Sequence, residues 1–320
     1  MMHRCLDLAK LGLGRVQPNP MVGAVIVHDG EIIGEGYHHQ YGEAHAEVNA
    51  INSVADKSKL QNSTIYVTLE PCSHYGKTPP CADKLIEMKF PRVIIGATDP
   101  HDKVNGKGIK KLQDSGIEVI TGVLKDECEA INKRFFTYHR WHRPYIILKW
   151  AQTEDGFMDI NREKNPTGTY WITNEASRIL VHKWRSEEQA ILIGYNTYRN
   201  DHPSLTTRYY PGNSPKRYLM AKDIEKLTEI DGFTFVSNNL NDFCQQLFTD
   251  KMQSVIVEGG RKTLDLFIQH GLWDEARILT SSTTWSDGMP APTLTGKIQK
   301  EISLDTDKVR IIMNNHPNNF

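Results

Sequence analysis

Pro71-Cys72-Ser73-His74-Tyr75-Gly76-Lys77-Thr78-Pro79-Pro80-Cys81 sets two cysteines on either side of eight residues, each directly behind a proline. Upstream stands His45-Ala46-Glu47. One imidazole and two thiolates suit tetrahedral zinc and leave its fourth position open, as a catalytic site requires. The thiolates cancel the charge of the ion, so the site tolerates burial. Glu47 lies two residues past His45, and positions i and i+2 do not share a helix face, so Glu47 need not be a ligand. From the first turn of a helix it can reach bound water as a general base. Cys81 opens a predicted helix behind two prolines, where the helix N-terminus lowers a thiol pKa and favours thiolate.

The flanking sequence alternates helix and strand signals. Apolar periodicity predicts helices over 6–13, 44–54, 81–89 and 108–114, and strands over 22–27, 31–36, 63–69, 92–98 and 117–123. Asp29-Gly30 is a hairpin turn. A helix-like stretch over 125–138 runs into the basic, proline-stopped His139-Arg140-Trp141-His142-Arg143-Pro144, which reads as an interdomain connection. Beyond it come strands over 145–151, 190–194, 217–221, 233–236, 254–258, 276–281 and 310–313, with helices over 174–186 and 263–270. The reading is an α/β protein without internal repeats.

The chain's 320 residues suit about two domains, each large enough to bury a core. With 38 Lys plus Arg against 39 Asp plus Glu, no global field draws it to nucleic acid. Its longest apolar runs fall far short of the ~20 residues that cross a bilayer. Asp7 and Lys10 interrupt the N-terminus before a signal-peptide core can form, so a cytoplasmic protein is expected. Five cysteines, at 5, 72, 81, 128 and 244, are too few and odd in number for a disulfide framework.

The His-x-Glu and Pro-Cys pattern is that of the zinc deaminases, which space their cysteines two residues apart and not eight. The longer insert resembles the ligand loop of the bifunctional riboflavin-biosynthesis deaminase-reductases. Pro18-Asn19-Pro20-Met21-Val22-Gly23, Ala97-Thr98-Asp99-Pro100 and Val104-Asn105-Gly106-Lys107-Gly108 resemble that family too. In the second half Lys149-Trp150-Ala151-Gln152-Thr153-Glu154-Asp155-Gly156, Trp171-Ile172-Thr173, Asn200-Asp201-His202-Pro203-Ser204-Leu205-Thr206 and Val257-Glu258-Gly259-Gly260 continue the likeness. It covers nearly the whole chain in order.

The resemblance implies a cytidine-deaminase-like three-layer domain over 1–143 and a dihydrofolate-reductase-like α/β domain over 144–320. It implies zinc on His45, Cys72 and Cys81, with Glu47 as proton shuttle. Asn19, His38, His74 and Lys77 would contact the pyrimidine or its ribosyl phosphate. His38 neighbours His39, and spacing alone does not say which points inward; family position favours His38. In the second domain, NADPH contacts are implied for Ala151, Trp171, Thr197, Asp201, Gly260, Arg261 and Thr263. Substrate contacts are implied for Thr169, Arg185, Leu205, Arg208 and Glu258. Glycines entering a helix at 259–260 suit a pyrophosphate, but this is no G-x-G-x-x-G fingerprint, so a Rossmann domain is not supported. Arg185 and Arg208 make chemical sense as a phosphate clamp. Where the family usually reads Ser-Leu-Asp-Gly, this chain has Thr153-Glu154-Asp155-Gly156, which keeps a hydroxyl and adds a charge.

The expected activity is hydrolytic deamination of a diaminopyrimidine ribosyl phosphate, then NADPH-dependent reduction of its ribosyl chain to ribityl. The resemblance suggests a homodimer built through the reductase domains, a small-molecule substrate, and no nucleic-acid or membrane partner. Two rivals are a zinc deaminase acting on a nucleic-acid base and a zinc-stabilised scaffold without activity. Near-zero net charge and the long cysteine insert argue against the first, and the intact Glu47 against the second.

Overall fold

The computed structural model describes residues 1–75, 79–101, 104–163, 168–222 and 230–315. The chain divides into two compact units, Met1–Arg140 and Trp141–Phe320. No helix among the described residues is long and apolar enough to cross a membrane.

In the first unit α1 (Met2–Lys10) leads into a hairpin of β1 (Gly23–His28) and β2 (Glu31–Tyr37). Then follow α2 (Ala46–Ser53), β3 (Thr64–Leu69), α3 (Cys81–Glu87), β4 (Arg92–Ala97), α4 (Lys107–Asp114), β5 (Glu118–Thr121), α5 (Lys125–Ile131) and α6 (Lys133–Trp141). The sheet order is β2-β1-β3-β4-β5, with β1 antiparallel to both neighbours and β3, β4 and β5 parallel. Successive strand residues face opposite sides, and both sides are covered. Ala24, Ile26, Ile65, Val67, Val93 and Ile95 pack under Ala50, Ile51, Leu85 and Leu112 of α2, α3 and α4. The intervening Val25 and Ile94 meet Met2, Cys5, Leu6, Cys128, Phe135 and Phe136 of α1, α5 and α6. Three layers result, as expected.

The single helix expected over 125–138 is broken at Asn132. Its buried side chain accepts from the Met21 N–H and donates to the Met21 carbonyl, both at 2.8 Å. These paired bonds hold the loop after Pro20 against the junction where α5 ends. The helix then resumes and runs through Trp141, so much of the expected connector at 139–144 is helical.

The second unit contains β6 (Tyr145–Gln152), β7 (Phe157–Asp159), α7 (Glu175–Glu187), β8 (Ala190–Gly194), α8 (Tyr195–Asp201), β9 (Lys216–Met220), β10 (Thr234–Val236) and α9 (Leu240–Thr249). It continues through β11 (Ser254–Val257), α10 (Arg261–Gln269), β12 (Glu275–Thr280), β13 (Met289–Pro290), β14 (Lys297–Leu304) and β15 (Asp307–Met313). The main sheet runs β10-β9-β8-β11-β6-β12-β15-β14, parallel as far as β12 and antiparallel at β15 and β14. Strands β6, β8 and β11 are almost wholly apolar because helices cover both faces. Phe243, Leu247, Leu264 and Phe267 of α9 and α10 lie on one side, and Val181 and Trp184 of α7 on the other. Sequence periodicity missed α8, α9 and β14. The last is an outer strand of Lys297, Lys300 and Glu301 with Ile298 exposed, too polar to register as a strand.

Arg143 enters this unit buried and pairs with Asp274 through two bonds of 2.7 and 2.8 Å. Asp274 also accepts the Ile146 N–H at 2.7 Å, fixing where β6 begins. Removing one member of a buried ion pair strands the other charge in low dielectric. Asp274→Ala is expected to destabilise the second unit by about 3–5 kcal/mol, read as a lower urea midpoint for its unfolding transition.

Candidate active sites

The backbone brings His45, Cys72 and Cys81 together from three places. His45 caps α2 in an extended conformation, Cys72 follows the end of β3, and Cys81 opens α3. Their donor atoms all lie within 4.8 Å of one another. His45 Nδ1 stands 3.6 Å from Cys72 Sγ and 3.4 Å from Cys81 Sγ. Zinc–sulfur bonds of about 2.3 Å and zinc–nitrogen bonds of about 2.0–2.1 Å at the tetrahedral angle require roughly 3.6 Å between such atoms. The residues therefore fit the ion.

Without the ion, the two thiols differ in their surroundings. The amide of Cys81, first in α3, donates to Cys72 Sγ at 3.3 Å. With the Cys81 thiol, which also donates to Cys72, it lowers the Cys72 pKa, while that same thiol bond and burial push Cys81 well up. The helix N-terminus thus serves the neighbouring sulfur and not its own.

Glu47 lies in the first turn of α2 and is 3 % exposed. Burial raises its pKa, and it hydrogen-bonds Cys81, so its carboxyl is held at the donor triangle. His38 is the inward member of its pair: it is buried, while His39 is exposed against Tyr37. His38 Nδ1 lies 3.1 Å from the Ala44 carbonyl, which needs a proton on Nδ1, leaving Nε2 to accept from Asn19 Nδ2 at 3.1 Å. Burial lowers its pKa and keeps this neutral tautomer. Its ring meets His45 edge-on at 5.3 Å, so Asn19 and His38 form one side of the zinc site. His74 is exposed and stacks against His101 at 6.5 Å. Lys77 lies outside the described residues.

Sequence reasoning missed Glu70. This buried carboxylate accepts the N–H groups of Asp99 (3.2 Å), Gly106 (2.9 Å), Gly108 (2.9 Å) and Ile109 (3.2 Å). It anchors α4 beside Pro71-Cys72. A Cβ at Gly108 would stand 2.1 Å from the Pro71 carbonyl, which explains the glycine that closes the 104–108 motif.

The second unit carries a cleft of about 680 Å³, lined by Ala151, Thr169, Thr197, Asp201, Glu258, Gly260, Arg261 and Thr263 among the expected residues. At its floor Thr263 packs where a Cβ on Gly194 or Gly259 would lie, at 2.4 and 2.6 Å. Gly260 caps α10, and its N–H donates to Thr197 Oγ1 at 2.9 Å. A dinucleotide suits this cradle of bare backbone at a helix N-terminus. The Arg261 side chain is taken up within the protein: it bonds Asp265 and the carbonyls of Pro290 and Ala291. Trp171 is 58 % exposed under Arg178 and is not among the cleft-lining residues. Arg162, absent from the sequence expectations, ties Asp159 and Asp201 together at 2.7 and 2.9 Å and lines the cleft. The Thr153–Gly156 departure is structural: Thr153 and Asp155 bond each other and the backbone of Phe157, Trp285 and Ser286, while Glu154 points to solvent.

Glu258 is the deep acid of the cleft. Arg185 grips both its oxygens at 2.8 Å, and Lys149 approaches at 3.4 Å. Burial would raise its pKa, but Arg185 and then Lys149 overrule this and hold it at about 2. The expected clamp of Arg185 and Arg208 is therefore only partly open, because Arg185 also donates to the Thr206 carbonyl at 3.2 Å. Arg208 is exposed, bonds Ser204 and lies over the Tyr209 ring. Leu205 is buried in the left-handed region, φ 55°, shaping this loop; neither it nor the two arginines lines the cleft itself.

The family description "cytidine and deoxycytidylate deaminase zinc-binding region" matches residues 1–97, and "RibD C-terminal domain" matches residues 144–314. The chain is 37% identical over 319 residues to riboflavin biosynthesis protein RibD of Aquifex aeolicus, covering 90% of this chain and 88% of that one. It is 47% identical over 309 residues to the RibD of Bacillus amyloliquefaciens, covering 86% and 81%. A solved deaminase/reductase from Thermotoga maritima superposes with a TM-score of 0.87 at 32% identity, covering 98% and 97%. Acinetobacter baumannii RibD gives 0.84 at 30% identity, covering 98% of each chain. With both family regions matched and near-full-length relatives well above 30% identity, the chain belongs to the RibD family of riboflavin biosynthesis proteins, which join a zinc-binding deaminase region to a reductase domain.

Proposed function

We propose that the enzyme hydrolyses the 2-amino group of 2,5-diamino-6-(5-phosphoribosylamino)pyrimidin-4(3H)-one. It then reduces the ribosyl chain of that product to give 5-amino-6-(5-phosphoribitylamino)uracil. The solved Thermotoga maritima relative is titled a diaminohydroxyphosphoribosylaminopyrimidine deaminase/5-amino-6-(5-phosphoribosylamino)uracil reductase. The observation that carries the reading here is the buried Glu47 carboxyl beside a donor triangle of zinc dimensions.

In the deaminase site His45, Cys72 and Cys81 would hold zinc, which would supply the Lewis acidity that makes water nucleophilic near neutral pH. Glu47 would take one proton from the attacking water and pass it to a ring nitrogen, and would then carry the remaining hydroxyl proton to the amino group as it leaves as ammonia. Its raised pKa suits both duties. Asn19, the neutral His38, His74 and Lys77 would contact the pyrimidine or its ribosyl phosphate. In the reductase site NADPH supplies the hydride. Ala151, Thr197, Asp201, Gly260, Arg261 and Thr263 would hold the cofactor, while Trp171, outside the cleft lining, would meet it only from the rim. Thr169, Leu205 and Glu258 orient the sugar, and Arg185 with Arg208 holds its phosphate. Orientation is the main contribution of these residues, since hydride transfer depends on placing the sugar carbon against the nicotinamide.

We also infer a homodimer through the reductase domains, supported by the open outer edge at β14 with Ile298 exposed. A cytoplasmic location is supported by five free cysteines, two of which must stay reduced to hold zinc.

Incubating purified enzyme with the diaminopyrimidine, with and without NADPH, and reading ammonia release and NADPH oxidation separately tests both steps. Absence of ammonia release from zinc-loaded enzyme would refute the deaminase reading. Glu47→Gln is expected to keep stoichiometric zinc yet lose about 10²- to 10⁴-fold in ammonia release, with NADPH oxidation on the deaminated intermediate unchanged. Cys72→Ser is expected to lose the metal as well, which elemental analysis decides. Arg185→Ala removes the main partner of Glu258, and a lost charge-assisted contact should weaken reductase kcat/KM by about tenfold or more. Ammonia release by that variant should stay at the wild-type rate.

A further inference from the structure

His182 has no role in the reading above. It lies on α7 one turn before Arg185, is 4 % exposed, and its Nδ1 is buried without a hydrogen-bond partner. A buried imidazole nitrogen in that condition costs free energy unless a ligand supplies the missing partner. Its neighbours are cationic. Arg185 and Arg208 both bear on it, against Glu258 and the Thr206 carbonyl, and Tyr209 closes over the ring edge-on at 4.8 Å. The loop opposite α7 adds hydroxyls. Ser204 Oγ takes a bond from Arg208 and lies 3.5 Å from Thr206 Oγ1.

We propose that His182 binds the terminal phosphate monoester of the reductase substrate, completing with Arg185 and Arg208 the pocket that recognises it. The inference rests on the reductase reading given above. Formal charge agrees: Arg185, Arg208 and Lys149 against Glu258 leave two positive charges, which a phosphate dianion neutralises. Burial first, and then the two arginines, depress the imidazole to about 4. Without ligand the ring is therefore neutral, and it does not add a third charge to two neighbouring guanidiniums. The other ring nitrogen serves the Thr206 carbonyl, so Nδ1 is the bare nitrogen of the neutral ring; an arriving dianion reverses that field, and the ring takes up a proton at Nδ1 for the phosphate to accept. Arg185 cannot do this alone, because Glu258 occupies much of its fork.

The test compares wild type, His182→Asn and His182→Leu in NADPH oxidation on the deaminated phosphoribosyl substrate and on its dephosphorylated riboside, with ribose 5-phosphate as inhibitor. The expected result is a KM about tenfold or more higher for the phosphorylated substrate, with kcat nearly retained and riboside kinetics little changed. The inhibition constant of ribose 5-phosphate should rise in parallel. Equal losses on both substrates would mark His182 as structural and overturn the proposal, as would an unchanged KM and inhibition constant. Should wild-type enzyme fail to oxidise NADPH on this substrate, the reductase reading falls. Thermal stabilisation by ribose 5-phosphate of wild type and not of His182→Asn would then still support the phosphate pocket, and equal stabilisation of both would overturn it.

Discussion

A carboxylate with no access to water must be surrounded by donors, and each unit of this enzyme is arranged around one such group. Glu70 gathers four backbone N–H groups from the segment that leads from β4 into α4, so the start of α4 and the loop before it are tied to the strand end that delivers Cys72. Glu258 instead recruits side chains, Arg185 from α7 and Lys149 from β6. The difference matches the duties of the two sites. A metal centre needs ligands fixed to tenths of an ångström, which backbone bonds secure. A site that must admit and release a large cofactor and a sugar phosphate is better served by charged side chains.

Both acids follow directly from the carboxyl ends of parallel strands, β3 and β11. Open α/β sheets place their ligands there because the strands diverge into loops and the succeeding helices point their N-termini at the same space. Here α2 and α3 bring His45, Glu47 and Cys81 to one such edge, and α10 brings Gly260 to the other. Deamination and hydride transfer share little chemistry, yet the same geometric solution holds the reactive groups of each.

The chemistry of the first site was legible because its residues occur at helix starts with prolines as punctuation. His45, Glu47, Cys72 and Cys81 carry donor types that have few other reasons to coincide. Most strands were legible too, since burial on both faces leaves continuous apolar runs such as Ile191–Ile193. What escaped were features decided by tertiary partners. Nothing local marks Glu70 as an anchor rather than a surface acid, because its four partners lie 29 to 39 residues downstream. The helix break at Asn132 depends on Met21, 111 residues away. The polarity of β14 hides a strand whose outer edge faces solvent. That the first amide of α3 donates to Cys72 rather than to its own sulfur also depends on the fold of the loop between them.

The Asn132 clasp bears on where a free-standing deaminase could end. The five strands and four ligand-site residues are complete by Thr121, and a gene cut there would encode every group that touches the metal or the water. It would omit two short helices whose Cys128, Phe135 and Phe136 help cover one face of the sheet, together with the amide that holds Met21. Asn19 stands two residues before that methionine and reaches His38. The final helical segment of the unit thus fixes the loop that carries Asn19 to His38, and the polypeptide must run on past Asn132 before that opening loop acquires the bonds that hold it.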